Sequence, residues 1–138
     1  MNDLLSARQA LQGHTLALCK DGHIITDDQH GIAPMLSLIG KGENLAGYSA
    51  ADLVVGKAAA MLFVKAGIRA LYAAVLSESA AEFLKEHAVA VQFGASTPQI
   101  INRAGTGPCP MEQTVRDISD PEEGYRLLKQ KVHSLQKA

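Results

Sequence analysis

The sequence predicts an α/β protein, a three-layer α/β/α sandwich on a mixed sheet of about five strands. Short β-like runs alternate with helical segments along the chain, and a tight hairpin joins two of the runs. Hydrophobic residues make up 47% of the 138 residues, which is enough for a sizeable core. No linker or internal repeat is visible, so residues 1–138 are predicted to form one domain.

The chain begins with a predicted helix over residues 2–12, which Asn2 caps and Gly13 ends. Its inward-facing side chains are predicted to be Leu4, Leu5, Ala7 and Leu11. Two short strands, 15–20 and 23–26, follow. The Asp21-Gly22 dipeptide between them predicts a hairpin, because a type I′ turn needs positive φ at both positions.

A short helix is predicted over 32–39, followed by a glycine-rich connection over 40–47. The most apolar segment, residues 49–67, is then predicted to be one buried helix. Ser49 with Asp52 three residues later fits a capping box, and Gly67 fits a C-terminal stop.

Lys57 lies in the middle of this predicted helix. Its neighbours at helical spacing are apolar: Leu53, Val54, Ala60 and Met61. An ammonium in such surroundings must reach water, find an anion or lose its proton, so Lys57 is a candidate site residue. The structural alternative is a stem that runs along apolar neighbours to solvent, or an ion pair with an acid such as Asp52.

The second half of the chain is predicted to alternate strands and helices. Strands are expected over 69–76, 88–93 and 99–102. Helices are expected over 77–87, from Pro110 onward, and from Asp120-Pro121 to the end of the chain. The last helix carries one apolar stripe, which consists of Tyr125, Leu128, Val132 and Leu135.

A second candidate site lies at the helix that begins near Pro110. Cys109 is its predicted N-cap and Glu112 its third residue, and a flexible loop of Gly105, Thr106 and Gly107 precedes them. A helix N-terminus favours bound anions and thiolates. Alternatively, Cys109 is a small buried hydrophobe beside a turn and Glu112 only caps the helix.

The element order and the run Leu16-Ala-Leu-Cys-Lys-Asp-Gly-His-Ile-Ile25 resemble the cytidine-deaminase-like superfamily, whose cores run helix, hairpin, helix, strand, helix, strand. Within it, Asp52-Leu-Val-Val-Gly-Lys-Ala-Ala-Ala60 together with Gly107-Pro-Cys-Pro-Met-Glu112 resembles a bacterial family of unknown function. The resemblance spans roughly residues 2–118. It implies a deaminase-like fold with an active cleft near the start of the second core helix.

The zinc-binding motifs of the deaminases are absent. Those enzymes need a His or Cys followed two positions later by Glu on the second core helix, and Pro-Cys-x-x-Cys at the start of the next helix. None of the five histidines is followed two residues later by Glu. The two motif positions are expected near residues 55–57 and 77–81, so that Lys57 takes the place of the Glu. No metal and no other cofactor is predicted.

The leading hypothesis is a metal-independent deaminase-like protein that binds a small anionic or nucleotide-like ligand. Lys57, Cys109 and Glu112 would be its catalytic residues. The ligand-binding residues would be Asp52, Ser77, Gly105, Thr106 and Gly107. Two alternatives remain open: a non-catalytic ligand-binding or regulatory module, and an assembly domain that forms a homo-oligomer. The sequence alone does not decide whether the protein is an enzyme.

The composition argues against two classes of partner, nucleic acids and membranes. A formal net charge of −1 without any Lys/Arg run argues against nucleic-acid binding. No apolar run is long enough to span a membrane, and the N-terminus lacks the features of a signal peptide. The two cysteines, Cys19 and Cys109, have no local partner. Free thiols in a cytoplasmic protein are therefore expected.

Overall fold

The computed structural model describes residues 2–102 and 104–137, in which six helices and five strands form. The helices are α1 (Asp3–Leu11), α2 (Ala33–Gly40), α3 (Lys57–Ala66), α4 (Glu78–Glu86), α5 (Pro110–Val115) and α6 (Pro121–Lys137). The strands are β1 (Leu16–Lys20), β2 (His23–Asp27), β3 (Ser49–Val55), β4 (Ala70–Ser77) and β5 (Ala90–Thr97). In this part of the chain no helix combines the length and the apolar character needed to cross a bilayer.

The five strands form one mixed sheet in the order β2-β1-β3-β4-β5. Strand β1 is antiparallel to both β2 and β3, whereas β3, β4 and β5 are parallel to one another. Helices α3 and α4 make the two crossovers between the parallel strands, as parallel pairing requires. The predicted mixed sheet of about five strands is therefore confirmed.

Helices cover both faces of the sheet. On one face α1 packs against a small cluster that includes Ala17, Cys19 and Ala51. On the other face a larger core joins the sheet to α2, α3, α4, α5 and α6, with Phe63 and Leu128 fully buried in it. This arrangement is the three-layer α/β/α sandwich that the sequence predicts.

Several local predictions are confirmed because the residues concerned determine the backbone directly. Asn2 caps α1, its Oδ1 accepting from the N–H groups of Leu4 and Leu5 at 3.0 and 3.2 Å. Asp21 and Gly22 both have positive φ, 50° and 83°, in the hairpin turn. Gly67 ends α3 in the left-handed conformation, with φ 81°.

The prediction of one helix over residues 49–67 is wrong, because Ser49–Val55 forms strand β3 and the helix starts only at Lys57. Strand β3 lies between β1 and β4, and its first three residues are buried. A strand buried in the middle of a sheet reads as a continuous apolar run, without the alternation that distinguishes a strand from a helix. The proposed capping box of Ser49 and Asp52 therefore does not exist.

Two smaller predictions are also wrong. Residues 99–102 form no strand of the sheet, and Ile101 makes only an isolated bridge with Pro108. The side chain of Leu5 is 50% exposed, whereas Leu4, Ala7 and Leu11 are buried as predicted. Only those three lie on the stripe of α1 that faces the sheet.

Ser77, a predicted ligand contact, is the N-cap of α4. It is fully buried, and its Oγ accepts from the N–H of Ala80 at 3.1 Å. We expect Ser77→Ala to lower the free energy of unfolding by about 1 kcal/mol, because that buried N–H loses its acceptor. Urea denaturation measures the change. Ser134→Ala, at an exposed position of α6, is the matched control and is expected to change little. Equal effects of the two substitutions would contradict the capping role.

Candidate functional site

A cleft of about 440 Å³ opens beside the carboxyl ends of the parallel strands, where ligands commonly bind in α/β proteins. Four parts of the chain surround it: the start of α3, one side of α4, helix α5 and the segment after β5. Its lining residues are Lys57, Ser79, Glu82, Phe83, Glu86, Gln99, Ile100, Pro108, Glu112, Gln113, Arg116 and Ser119.

The N-terminus of α3 is capped by a carboxylate from another helix. The Lys57 N–H donates to one oxygen of Glu112 and the Ala58 N–H donates to the other, each at 2.8 Å. The first N–H groups of a helix have no acceptor within the helix and carry partial positive charge, so a carboxylate satisfies both requirements. Glu112 was predicted to cap its own helix or to face the site. It lines the cleft, but it caps α3 and not its own helix, so that it joins α5 to α3.

Gly56 makes this contact sterically possible. Its backbone is extended, with φ −101°, so the need for glycine comes from space and not from conformation. A Cβ at this position would lie 2.5 Å from both Cδ and Oε1 of Glu112. Any other residue would push the carboxylate off the helix end.

Lys57 is the first residue of α3 and not the middle of a longer helix. Its side chain is half-buried, and its ammonium donates to the carbonyl oxygen of Arg116 at 3.0 Å. Lys57 thus contacts the C-terminal end of α5 through its side chain, while its N–H binds Glu112 within α5. Among the residues described, neither Lys57 nor Arg116 takes part in an ion pair, so two positive charges line the cleft without a carboxylate partner.

The part of the lining that comes from α4 carries two acids and an aromatic ring. Glu82 and Glu86 are four residues apart on α4 and therefore lie on the same side of the helix. Between them Phe83 is nearly buried, and its ring stacks on that of His87 at 4.2 Å. The lining therefore combines two cationic side chains, from the start of α3 and the end of α5, with three carboxylates, from α4 and α5.

The predicted catalytic residues are only partly brought together. Lys57 and Glu112 both line the cleft, whereas the lining does not include Cys109. The backbone N–H of Cys109 donates to the carbonyl oxygen of Ile100 at 3.1 Å, and its neighbour Pro108 is the residue of this loop that reaches the cleft. The loop thus meets Lys57 at one cleft, but its thiol lies outside the lining.

Most of the predicted ligand contacts lie elsewhere. Gly105, Thr106 and Gly107 form a turn outside the cleft lining, held by Asn102, whose Oδ1 accepts from the Thr106 N–H at 3.0 Å. Ser77 is a buried cap, and it is Ser79, two residues further along the chain, that lines the cleft.

The sequence provided no signal for most of the lining. Glu82, Phe83 and Glu86 read as part of an ordinary amphipathic helix, because acids on a helix surface are usually solvated. Arg116 lies after α5 and has no motif around it. Their common location depends on how α4 and α5 pack, which no local pattern records.

Asp52 lies within β3, opposite Leu16 of β1 and Ala73 of β4, both of which are buried. It is not among the residues that line the cleft. Burial raises the pKa of Asp52 from 3.8 to about 7, although the N–H groups of Leu53 and Val54 oppose the shift. The Leu53 N–H donates to its Oδ1 at 2.8 Å.

The observed element order places the two zinc-motif positions at other residues than the sequence predicts. The order is α1, hairpin, α2, β3, α3, β4, so α2 is the second core helix and α3 is the next one. The Pro-Cys-x-x-Cys position therefore falls at Gly56-Lys57-Ala58, and not at residues 77–81. Within residues 2–102 and 104–137, no three His, Cys, Asp or Glu side chains cluster so that they could hold a metal ion. At the start of α3 the structure has the Glu112 carboxylate instead.

A mutant cycle tests the contact between Gly56 and Glu112. We expect Gly56→Ala to lower the free energy of unfolding by about 1–3 kcal/mol, because the new methyl group displaces the carboxylate. Glu112→Ala is expected to cost about 1–3 kcal/mol, since two N–H groups lose their acceptor. Adding Gly56→Ala to Glu112→Ala should cost little more, because the carboxylate has gone.

Gly107→Ala is the control for this cycle, because no atom lies within 4 Å of the position its Cβ would take. Chemical denaturation of the four variants and the wild type measures the coupling. Additive losses for Gly56→Ala and Glu112→Ala would show that the two residues act independently.

The raised pKa of Asp52 predicts a pH-dependent stability. The unfolded chain loses this proton near pH 3.8 and the folded chain near pH 7, so stability falls as the pH rises between these values and is constant above them. Asp52→Asn cannot ionise and is expected to gain stability above pH 7, by at most about 4 kcal/mol. Melting curves from pH 4 to 8, with exposed Asp117→Asn as the control, measure this gain. A parallel loss in the wild type and in Asp52→Asn would rule it out.

The model of a protein family described as "Domain of unknown function (DUF1893)" matches residues 6–132. The crystal structure of a DUF1893 family protein from Thermotoga maritima is similar with a TM-score of 0.85 and 28% identity, over 95% of this chain and 91% of that one. No curated protein matches.

Two deaminases are similar over smaller parts of the chain. One is a diaminohydroxyphosphoribosylaminopyrimidine deaminase/5-amino-6-(5-phosphoribosylamino)uracil reductase from Thermotoga maritima, with a TM-score of 0.41 and 19% identity, over 57% of this chain and 28% of that one. The other is a dCMP deaminase from cyanophage S-TIM5, with a TM-score of 0.45 and 12% identity, over 69% and 94%. The match of the family model over residues 6–132 decides the family: this chain belongs to DUF1893.

Proposed function

We propose that this protein is a non-catalytic module that binds a small anionic, nucleotide-like ligand in the cleft between α3, α4 and α5. The observation that carries the proposal is the pair of positive charges, Lys57 and Arg116, which line the cleft without an ion-pair partner among the residues described. Unneutralised cations at the rim of a concave site favour an anionic group of the ligand.

The remaining lining supports a ligand that also carries an apolar, hydrogen-bonding part. Phe83, Ile100 and Pro108 supply apolar surface, and the acids Glu82 and Glu86 accept hydrogen bonds from amino groups. A volume of about 440 Å³ lies within the range of small-molecule sites. A phosphate joined to an aminated ring has this combination of groups.

The geometry favours binding over catalysis because the predicted catalytic groups are engaged in holding the fold. The Glu112 carboxylate accepts two backbone N–H groups, so both of its oxygens are already engaged at the start of α3. Cys109 lies outside the cleft lining. One of the three ammonium N–H groups of Lys57 donates to the backbone carbonyl oxygen of Arg116, so two remain for a ligand.

The same proposal includes a cytoplasmic location. Cys19 is buried, Cys109 is partly buried, and both are free thiols. Thiols that remain unpaired are typical of a reducing compartment.

A calorimetric titration tests the proposal, with inorganic phosphate and a panel of nucleoside 5′-monophosphates as the ligands. We expect at least one nucleotide to bind more tightly than phosphate alone. In Lys57→Met its affinity should fall about tenfold, because a charge-assisted contact is lost while the apolar stem remains. The melting temperature of the variant should change little.

Lys20→Met is the matched control, because Lys20 also donates to a backbone carbonyl, that of Ala46 at 3.1 Å, and is absent from the cleft lining. It should bind the nucleotide as the wild type does. Absence of binding to every nucleotide of the panel would refute the proposed ligand class. A large loss of melting temperature in Lys57→Met, with unchanged affinity per folded molecule, would show that Lys57 serves only the fold.

A further inference from the structure

Strand β5 forms an open edge of the sheet. It is eight residues long, Ala-Val-Gln-Phe-Gly-Ala-Ser-Thr, and contains neither a charged residue nor a proline. Six of these residues are exposed: Ala90, Gln92, Phe93, Gly94, Ala95 and Ser96. In the part of the chain that the structure describes, β4 is its only strand neighbour. Monomeric proteins usually protect such an edge with charges, prolines or a covering segment, because unpaired backbone groups there attract another strand.

The other edge of the sheet differs from β5 in this respect. Strand β2 has five residues, begins at His23 and ends at Asp27, so it is shorter and carries a charge.

We propose that β5 pairs with β5 of a second copy of this chain, in antiparallel orientation across a two-fold axis perpendicular to the sheet. The two five-stranded sheets would then form one continuous sheet of ten strands. A two-fold axis in this position reverses the strand direction and keeps the helix-covered faces on the same side, which closes the assembly as a dimer. A strand without charged residues suits self-pairing, because no side chain of one copy repels a side chain of the other.

Phe93 is the side chain that this pairing buries. It lies at the centre of β5, opposite Ala73 of β4, and is 52% exposed in the single chain. Pairing over the full length of the strand brings the axis to Phe93 or Gly94, so the two Phe93 rings lie next to each other. Aromatic pairs across neighbouring strands are among the stabilising contacts of antiparallel sheets. The exposed ring is therefore accounted for by a second copy.

Sedimentation velocity over a range of concentrations, with Phe93→Lys and Ile24→Lys, tests the dimer. The wild type is expected to sediment as a dimer. Phe93→Lys should raise the dimer dissociation constant at least about tenfold, because two ammonium groups meet at the axis. Ile24→Lys is the matched control: Ile24 is 47% exposed on the opposite edge strand, and its substitution should leave the dimer intact.

Circular dichroism melts of Phe93→Lys exclude unfolding as the cause of dissociation. Hydrogen exchange of the wild type gives a second readout, in which the outward-facing amides of β5 should lose protection on dilution while those of β3 do not. A wild type that remains monomeric at its highest soluble concentration would overturn the proposal. So would a dimer that dissociates equally in Ile24→Lys and Phe93→Lys. The outcome does not depend on whether the cleft binds a nucleotide.

Discussion

The contact between the Glu112 carboxylate and the first two N–H groups of α3 is the interaction on which the site depends. Glu112 and Lys57 are 55 positions apart in the sequence, yet this contact joins α5 to the sheet-bound helix. Gly56 provides the space for it, and the Lys57 ammonium holds the far end of α5 at the Arg116 carbonyl. Helix α5, which this contact joins to α3, contributes Glu112 and Gln113 to the lining of the cleft.

The same contact determines which groups are available at the start of α3, which opens with Gly56-Lys57-Ala58. A carboxylate accepts the N–H groups at this helix end. Both oxygens of this carboxylate are occupied in joining α5 to α3, which is a structural role.

The cleft and the open edge strand are neighbours in the chain. Strand β5 ends at Thr97, and Gln99 and Ile100 then form part of the cleft wall. If a second copy pairs with β5, the strand that leads into this wall gains a second set of backbone hydrogen bonds and becomes more rigid. Assembly would then act on β5, and ligand binding would act on the residues that directly follow it.

Local sequence signals predict correctly the elements whose ends they mark. Asn2, Gly67 and the Asp21-Gly22 turn act on the backbone within a few residues, so their effects can be predicted without knowing the fold. The α/β class and the mixed sheet also follow from the alternation of such elements.

The conformation of Ser49–Val55 and the contacts of the site residues depend on the packing of the whole chain. A buried central strand and a buried helix have the same apolar composition, and the neighbours β1 and β4 decide between them. Likewise, the acceptor for the Lys57 N–H comes from a distant helix, and Glu82 and Arg116 meet at one cleft only after α4 and α5 have packed. Contacts between residues far apart in sequence leave no periodic pattern in it, which is the physical reason why the candidate site could be predicted only in part.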